Sequence, residues 1–477
     1  MSDIKIAIKN LRNDYTIVLV KDDDIITSSY RGVRPMMEFI ESGKDLQGYS
    51  VADKVVGKGA SMLFVIAKVK EVYAKVISKI ALEYLKLNNI KVSYKTLVDY
   101  IENRDATGMC PIESVVKDIT DIDEGYKLIK GKLIELNKKE RINKIRGSLV
   151  GGAVGDALGY QCEFIKGIKE KEYVSYNKGI ISDDTQMTLF SANAILYHQT
   201  KNDGSRLVDS VYLAYKDWYT TQVPTSDIGA NITWIKNIEE LNHPRAPGNT
   251  CMSALNSKEM GTIRYPLNNS KGCGGVMRVA PFGLYFDSLT SGMYAAEAAA
   301  ITHGHSLGIL PAYILSTWIS ILLEGKLKLK EALYKAIEIY KEDKMIGSKY
   351  DNDYFFSLID SAINLASKKG KDIENINKLG EGWVGDEALA IAIYACLKYE
   401  DNFEDAIVCA VNHDGDSDST GAIVGNVIGC YLGYDNIPKH FLDNLELKEV
   451  ILEIADDLAI GVNDSEEWNN KYVLIKK

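Results

Sequence analysis

Beyond Ile142 the chain repeats one pattern nine times: apolar residues at helical spacing, while strand signals fade. The segments are 186–198, 207–218, 293–300, 310–323, 329–340, 354–367, 387–398, 403–411 and 420–432. Several are apolar on nearly every side, as central helices of a bundle are. The pattern predicts a large all-α domain over 142–477. The stretches 309–323 and 420–434 are the least polar. Both are short and carry Ser, Thr or Asn, so they read as core helices and not as membrane spans.

The first part of the chain behaves differently. Segments 15–20, 24–28, 71–77 and 90–94 read as strands. Between and after them, 35–42, 60–69, 81–87 and 112–119 read as helices, the last opened by Pro111. The alternation predicts a small α/β sandwich over 1–120. Segment 118–146 is rich in Lys, Glu and Asp, with Ile and Leu at helical spacing. It reads as a charged connecting helix, taken as 121–141, and the domain boundary falls inside it. With 477 residues the chain is long enough for two or three cores.

Composition excludes some functions. A formal net charge of −10 argues against a non-specific nucleic-acid binder, which needs a basic face. The seven cysteines are odd in number and form no C-x-x-C pair. That argues against a disulfide framework or structural zinc and points to a reducing cytoplasm. Residues 1–10 contain no apolar core of a signal peptide.

Three stretches gather oxygen ligands just before apolar helices. They are Gly155-Asp156-Ala157-Leu158-Gly159 followed by Glu163, Ser182-Asp183-Asp184-Thr185, and His413-Asp414-Gly415-Asp416-Ser417-Asp418-Ser419-Thr420. Any one of them can serve as a helix cap. A cap needs one oxygen, however, and these segments supply several carboxylates and hydroxyls close together. Like charges in contact repel by about 1–4 kcal/mol at surface-like dielectric, and a cation removes that cost. Carboxylates and hydroxyls without Cys or His point to a hard ion such as Mg²⁺, Mn²⁺ or Ca²⁺. The third stretch starts like a calcium-binding EF-hand loop but has Ser419 where Gly is needed and Gly425 where Glu is needed.

Lys271-Gly272-Cys273-Gly274-Gly275-Val276-Met277-Arg278 is a glycine-rich loop whose backbone N–H groups could approach phosphates. It is not a Walker A motif, because no Gly-Lys-Ser/Thr follows. His303 and His305 either contact a phosphate or hydroxyl, or are satisfied core histidines. Trp383, at a helix start in Glu381-Gly382-Trp383-Val384-Gly385-Asp386-Glu387, is either core or a platform for a planar ligand.

In this order the motifs resemble the ADP-ribosylglycohydrolase family, over about 142–457. The resemblance implies an all-α fold with two Mg²⁺ or Mn²⁺ ions at the base of a cleft. It matches Ser182, Asp183, Asp184, Asp416, Asp418 and Ser419 to the metal ligands. Glu163 matches a glutamate that touches metal or water. Ser270, Lys271, Gly272, Cys273, Gly274 and Gly275 match the loop around the diphosphate, with Met277, His303 and Trp383 completing the substrate site. The family often has Thr where Ser182 and Ser419 stand, and Asn where Cys273 stands. The implied substrate is an ADP-ribosylated protein or small molecule, cleaved at the distal ribose. Glu163, Asp183 and Asp184 are the candidate acid and base groups. The rivals are a hydrolase of nucleosides or nucleotide sugars, and a sensor that binds ADP-ribose without turnover.

Residues 5–117 resemble an uncharacterised bacterial domain with a cytidine-deaminase-like fold, through Gly32-Val33-Arg34-Pro35, the segment 52–60, and Asn103-Arg104-Asp105 to Cys110-Pro111-Ile112-Glu113. The H-x-E and P-C-x-x-C of a zinc deaminase are missing, so deaminase chemistry is not implied. Cys110, at a helix start, is either an activated thiolate or an inert thiol.

Overall fold

The computed structural model describes residues 1–12, 14–103, 106–166, 178–343 and 346–473. They form two compact units, Met1–Lys139 and Glu140–Lys477. Arg104 and Asp105, named above, lie outside the described residues.

The first unit is built on a five-stranded sheet of order β2-β1-β3-β4-β5. The strands are β1 (Ile17–Lys21), β2 (Asp24–Ser28), β3 (Ser50–Val56), β4 (Glu71–Ser78) and β5 (Lys91–Val98). β1 is antiparallel to β2 and β3, whereas β3, β4 and β5 run parallel. Helices Lys58–Ile66 and Lys79–Leu87 follow β3 and β4, as parallel crossovers require. The sequence reading passes over β3, because Asp53 and Lys54 interrupt its apolar run. Asp53 is nonetheless buried and accepts the Val55 N–H at 3.0 Å. The reading also passes over helix Asp3–Asn10, whose Ala7 packs with Val18, Val20 and Ala52 on one sheet face. Val51, Val56, Met62 and Leu63 join the larger core on the other.

The second unit is helical. Its centre includes helix Ser306–Leu323, which is apolar enough to cross a membrane by length and composition, with a mean hydropathy of 1.8. It is 94% buried within the protein, and Trp318 Nε1 donates to the Leu329 carbonyl at 3.0 Å.

The charged helix does not stop near residue 141. It runs from Ile122 to Tyr160, through Gly147, Gly151, Gly155 and Gly159. Glycine weakens a helix, so packing must compensate. These four lie one turn apart on one face and meet Gly429, Gly425, Gly421 and Ser417 of the neighbouring helix. A Cβ on any of the four would run into the facing carbonyl oxygen. The Ser417–Leu432 helix therefore lies backbone against backbone on the 147–159 segment. This seam brings Asp156 and the residues at the start of the second helix into one region.

Candidate functional site: a buried carboxylate cluster under a glycine turn

Asp156 organises the first wall. It is wholly buried, and both its oxygens lie 3.0 Å from the Ser182 N–H. Oδ2 also accepts the Thr185 N–H at 3.0 Å and the Thr185 hydroxyl. Ser182 then caps helix Asp183–Lys201, accepting the Asp184 N–H at 3.2 Å. Asp183 donates its N–H to the Arg245 carbonyl at 3.0 Å and accepts the Gly248 N–H on Oδ2 at 3.2 Å. Arg245 is in turn held by Glu446 at 2.9 Å, and Glu446 accepts the Ile181 N–H at 3.1 Å. Asp184 accepts the Ser182 hydroxyl on Oδ2 at 3.3 Å, while its buried Oδ1 has no partner.

The second wall is the start of helix Ser417–Leu432. Asp416 caps it, accepting the Ser419 N–H on Oδ1 at 3.2 Å. Asp418 also accepts from Ser419 N–H, at 3.0 Å. His413 fixes the approach, its ring hydrogen-bonded to Thr420 Oγ1 at 3.0 Å and to the Gly415 N–H at 3.1 Å. Asp414 is exposed, unlike Asp416 and Asp418. Met277 touches both walls, accepting Thr188 Oγ1 on its carbonyl at 3.4 Å and Ser419 Oγ on its sulfur at 3.8 Å.

The walls converge electrostatically. Burial pushes the carboxyls of Asp183, Asp184 and Asp416 well above the usual range, and in each the next cause is the charge of Asp418. Burial and the same neighbour raise Asp156 to about 7 and Glu163 to about 8. A side-chain hydrogen bond with Asp418 adds to the rise at Glu163. Glu163 Oε2 is buried without a partner.

The glycine turn lies beside this cluster. Cys273–Gly275 forms one turn of tight helix. It is clamped to the Trp383 loop, with Cys273 N–H donating to the Trp383 carbonyl at 3.2 Å and Gly385 N–H to the Lys271 carbonyl at 2.8 Å. Ser270 Oγ accepts the Gly272 N–H at 3.3 Å and pairs with Thr250 Oγ1 at 3.0 Å. His303 lies under the turn: a Cβ on Gly272 would sit 3.2 Å from its Nε2, and one on Gly274 3.1 Å from its Cε1. Burial, aided by Arg278, drives its pKa down to about 3, so it is a neutral support. His305 instead caps helix Ser306–Leu323, accepting the Leu307 N–H at 3.0 Å. The Trp383 ring is 40% exposed at the edge of the turn.

Sequence reasoning named the 155–159, 182–184 and 416–419 segments but gave Asp156 no role and did not name Arg245 or Gly248. An ordinary loop carries no local signal. The same reading placed Cys273 in the loop around the diphosphate and not against the carboxylates. Cys273 Sγ lies 2.8 Å from Asp416 Oδ2, so the hard-oxygen reading of the site omits a soft donor.

Among the described residues no group of three His, Cys, Asp or Glu side chains is drawn up into ready metal coordination. The donor set still fits a cation. Several buried carboxyls repel one another, and Asp184 Oδ1 and Glu163 Oε2 have no hydrogen-bond partner.

In this helical unit the acidic starts of two helices thus meet beside a glycine turn. Residues 137–467 match the ADP-ribosylglycohydrolase family model, and the chain belongs to that family of enzymes. It is 24% identical to the ADP-ribosylarginine hydrolase Tri1 of Pseudomonas putida, over 69% of this chain and 81% of that protein. It is 25% identical to the ADP-ribosylhydrolase ARH3 of Danio rerio, over 68% and 90%. It is 24% identical to the ADP-ribosyl-[dinitrogen reductase] glycohydrolase of Rhodospirillum rubrum, over 63% and 90%. Residues 6–133 match a domain of unknown function (DUF1893).

Proposed function

We propose that the Glu140–Lys477 unit hydrolyses the glycosidic bond between the distal ribose of ADP-ribose and an acceptor, protein or small molecule. The observation that carries this reading is the convergence of Asp183, Asp184, Asp416, Asp418 and Glu163 next to a turn of three successive residues containing two glycines. Two Mg²⁺ or Mn²⁺ ions would be held by Ser182, Asp183, Asp184, Asp416, Asp418 and Ser419. When bound, such ions neutralise the carboxylates, orient ribose hydroxyls and acidify a water. The Gly272–Gly275 turn would line the diphosphate, its Gly272 and Cys273 N–H groups already given to Ser270 Oγ and the Trp383 carbonyl, with Ser270, Lys271 and Met277 around it and Trp383 at the rim. Glu163, with its unpartnered Oε2, is the group best placed to take a proton from the attacking water; Asp183 and Asp184 are the alternatives.

For the first unit we infer a cytidine-deaminase-like fold without deaminase chemistry. Glu113 is buried at the start of helix Lys58–Ile66 and accepts the N–H groups of Lys58 at 3.2 Å and Ile101 at 2.6 Å, and the Ser78 hydroxyl. That carboxylate is already satisfied within the protein.

The test is a panel of substrates carrying ADP-ribose on arginine, on serine and on small acceptors, with Mg²⁺ and with Mn²⁺, alongside free nucleosides. Release of ADP-ribose from at least one conjugate supports the reading. Cleavage of nucleosides alone, or tight ADP-ribose binding without release from any conjugate, overturns it.

A further inference from the structure

Asp386 has no part in the reading above, yet it is a wholly buried charge. It lies in the first turn of helix Gly385–Lys398, and neither of its carboxylate oxygens has a hydrogen-bond partner. Buried groups of this kind call for an explanation. The cation facing it is Lys271, whose Nζ lies 3.8 Å from Oδ1 and whose side chain is 38% exposed. Burial raises the Asp386 carboxyl, the Lys271 charge opposes that rise, and Glu387 is a negative neighbour. The two segments are also joined through the backbone, Gly385 N–H donating to the Lys271 carbonyl at 2.8 Å.

Lys271 directly precedes the glycine turn. The other cation of segment 270–278 is Arg278, which is fully buried. Its nitrogens face the sulfurs of Met187 and Cys251 at 3.4 Å and donate to Ala298 O and Thr302 Oγ1. Arg278 therefore supports the turn from beneath, and a diphosphate over the turn would meet the Lys271 ammonium. A lysine has a long flexible stem, and ordering it costs entropy. A fixed anion behind the ammonium restricts it before the ligand arrives. At 3.8 Å the contact is an ion pair without a hydrogen bond, so the ammonium protons stay free for phosphate oxygens.

We propose that Asp386 is a positioning residue, a carboxylate inside the core that holds the Lys271 ammonium at the edge of the Gly272–Gly275 turn to receive the diphosphate. This rests on the function proposed above. It assigns the affinity for the charged part of the ligand to a pair of residues of which one never touches it.

A double-mutant cycle on the full chain tests it, using wild type, Lys271→Gln, Asp386→Asn and the double variant, with ADP-ribose binding followed by calorimetry in Mg²⁺. Asp386→Asn should weaken ADP-ribose roughly threefold to tenfold in the wild-type background and have no further effect with Lys271→Gln. Asp386→Leu, which removes the charge and keeps the branched shape, repeats the cycle should the Asn variant not fold. Equal weakening in both backgrounds would mean that Asp386 only stabilises the fold. An unchanged affinity in the wild-type background overturns the proposal as well. ADP-ribose binding that is insensitive to Asp386 sinks the positioning role alone, whereas a wild type that binds no ADP-ribose sinks the functional reading with it.

Discussion

The Cys273 thiol donates a 2.8 Å hydrogen bond to Asp416 Oδ2, placing a sulfur against one of the proposed metal ligands. A soft ion such as Cd²⁺ should therefore compete for this site better than an all-oxygen site would allow. We expect Cd²⁺ to inhibit the wild type at a concentration roughly tenfold lower than it inhibits Cys273→Ser, a loss typical of a group supporting a metal. Equal inhibition of the two proteins would mean that the sulfur does not reach the bound ion.

Asp416→Asn removes one charge from the cluster and keeps the shape and the helix cap. It should lower metal affinity or turnover by at least about tenfold. In chelator it should raise the melting temperature, because Asp416 is buried beside Asp418 and Glu163. An ordinary cap mutant does neither, since Asn caps well. Unchanged turnover and metal affinity, measured by titration, would return Asp416 to a capping role.

The metal-free protein should lose stability as pH rises. Asp156 and Glu163 titrate near about 7 and about 8 in the folded state, against about 3.9 and 4.3 when unfolded. Between about pH 4 and 8 the native state thus holds more protons than the unfolded one. Stability falls with pH across that window, and the loss is complete above the folded values. In chelator the melting temperature should be lower at about pH 8.5 than at about pH 5.5, and Asp416→Asn should narrow the gap. A flat profile would show that the folded protein does not raise these carboxyls.

Gly274→Val should weaken ADP-ribose binding, but through the underside of the turn. A Cβ at Gly274 would lie 3.0 Å from Cys251 Sγ and 3.1 Å from His303 Cε1, so the new side chain presses on the support. A drop in melting temperature should accompany the loss of affinity, as overpacking costs about 1–3 kcal/mol. Calorimetry that finds ADP-ribose affinity intact would remove the turn from the site.

A fragment starting near Lys139 should fold and keep hydrolase activity, since contacts divide the chain into units at Lys139 and Glu140. Insolubility of that fragment, with an active full chain, would show that the division by contacts is not a division by stability.

Parts of this architecture are written locally and parts are not. The parallel strands β4 and β5 are visible because β-branched and aromatic residues, Val72, Tyr73, Val76 and Ile77 in one and Val92 and Tyr94 in the other, recur through them. β3 is hidden by Asp53-Lys54, whose burial depends on neighbours remote in sequence. Adjacent carboxylates make 182–184 and 416–419 visible as possible ligand segments. Their meeting is not visible, because it depends on the Asp156 carboxylate holding Ser182 and Thr185 and on the match between glycines in two helices. Spacing read along one helix cannot say which other helix it fits. For the same reason Asp386 reads as one acid in an acidic helix start, and only its fit against Lys271 distinguishes it.

The contact between Gly151 and Gly425, and its repeats along the same line, has a consequence for how such an enzyme can change over generations. Most cores can drift by exchanging one hydrophobic residue for another of similar size. Along this line the two helices meet backbone to backbone, so there is nothing there to exchange. The smallest heritable step, glycine to alanine, adds a methyl group where a carbonyl oxygen already stands. The spacing of the acidic segments is thereby shielded from gradual tuning. Novelty in substrate choice is left to the loops around them.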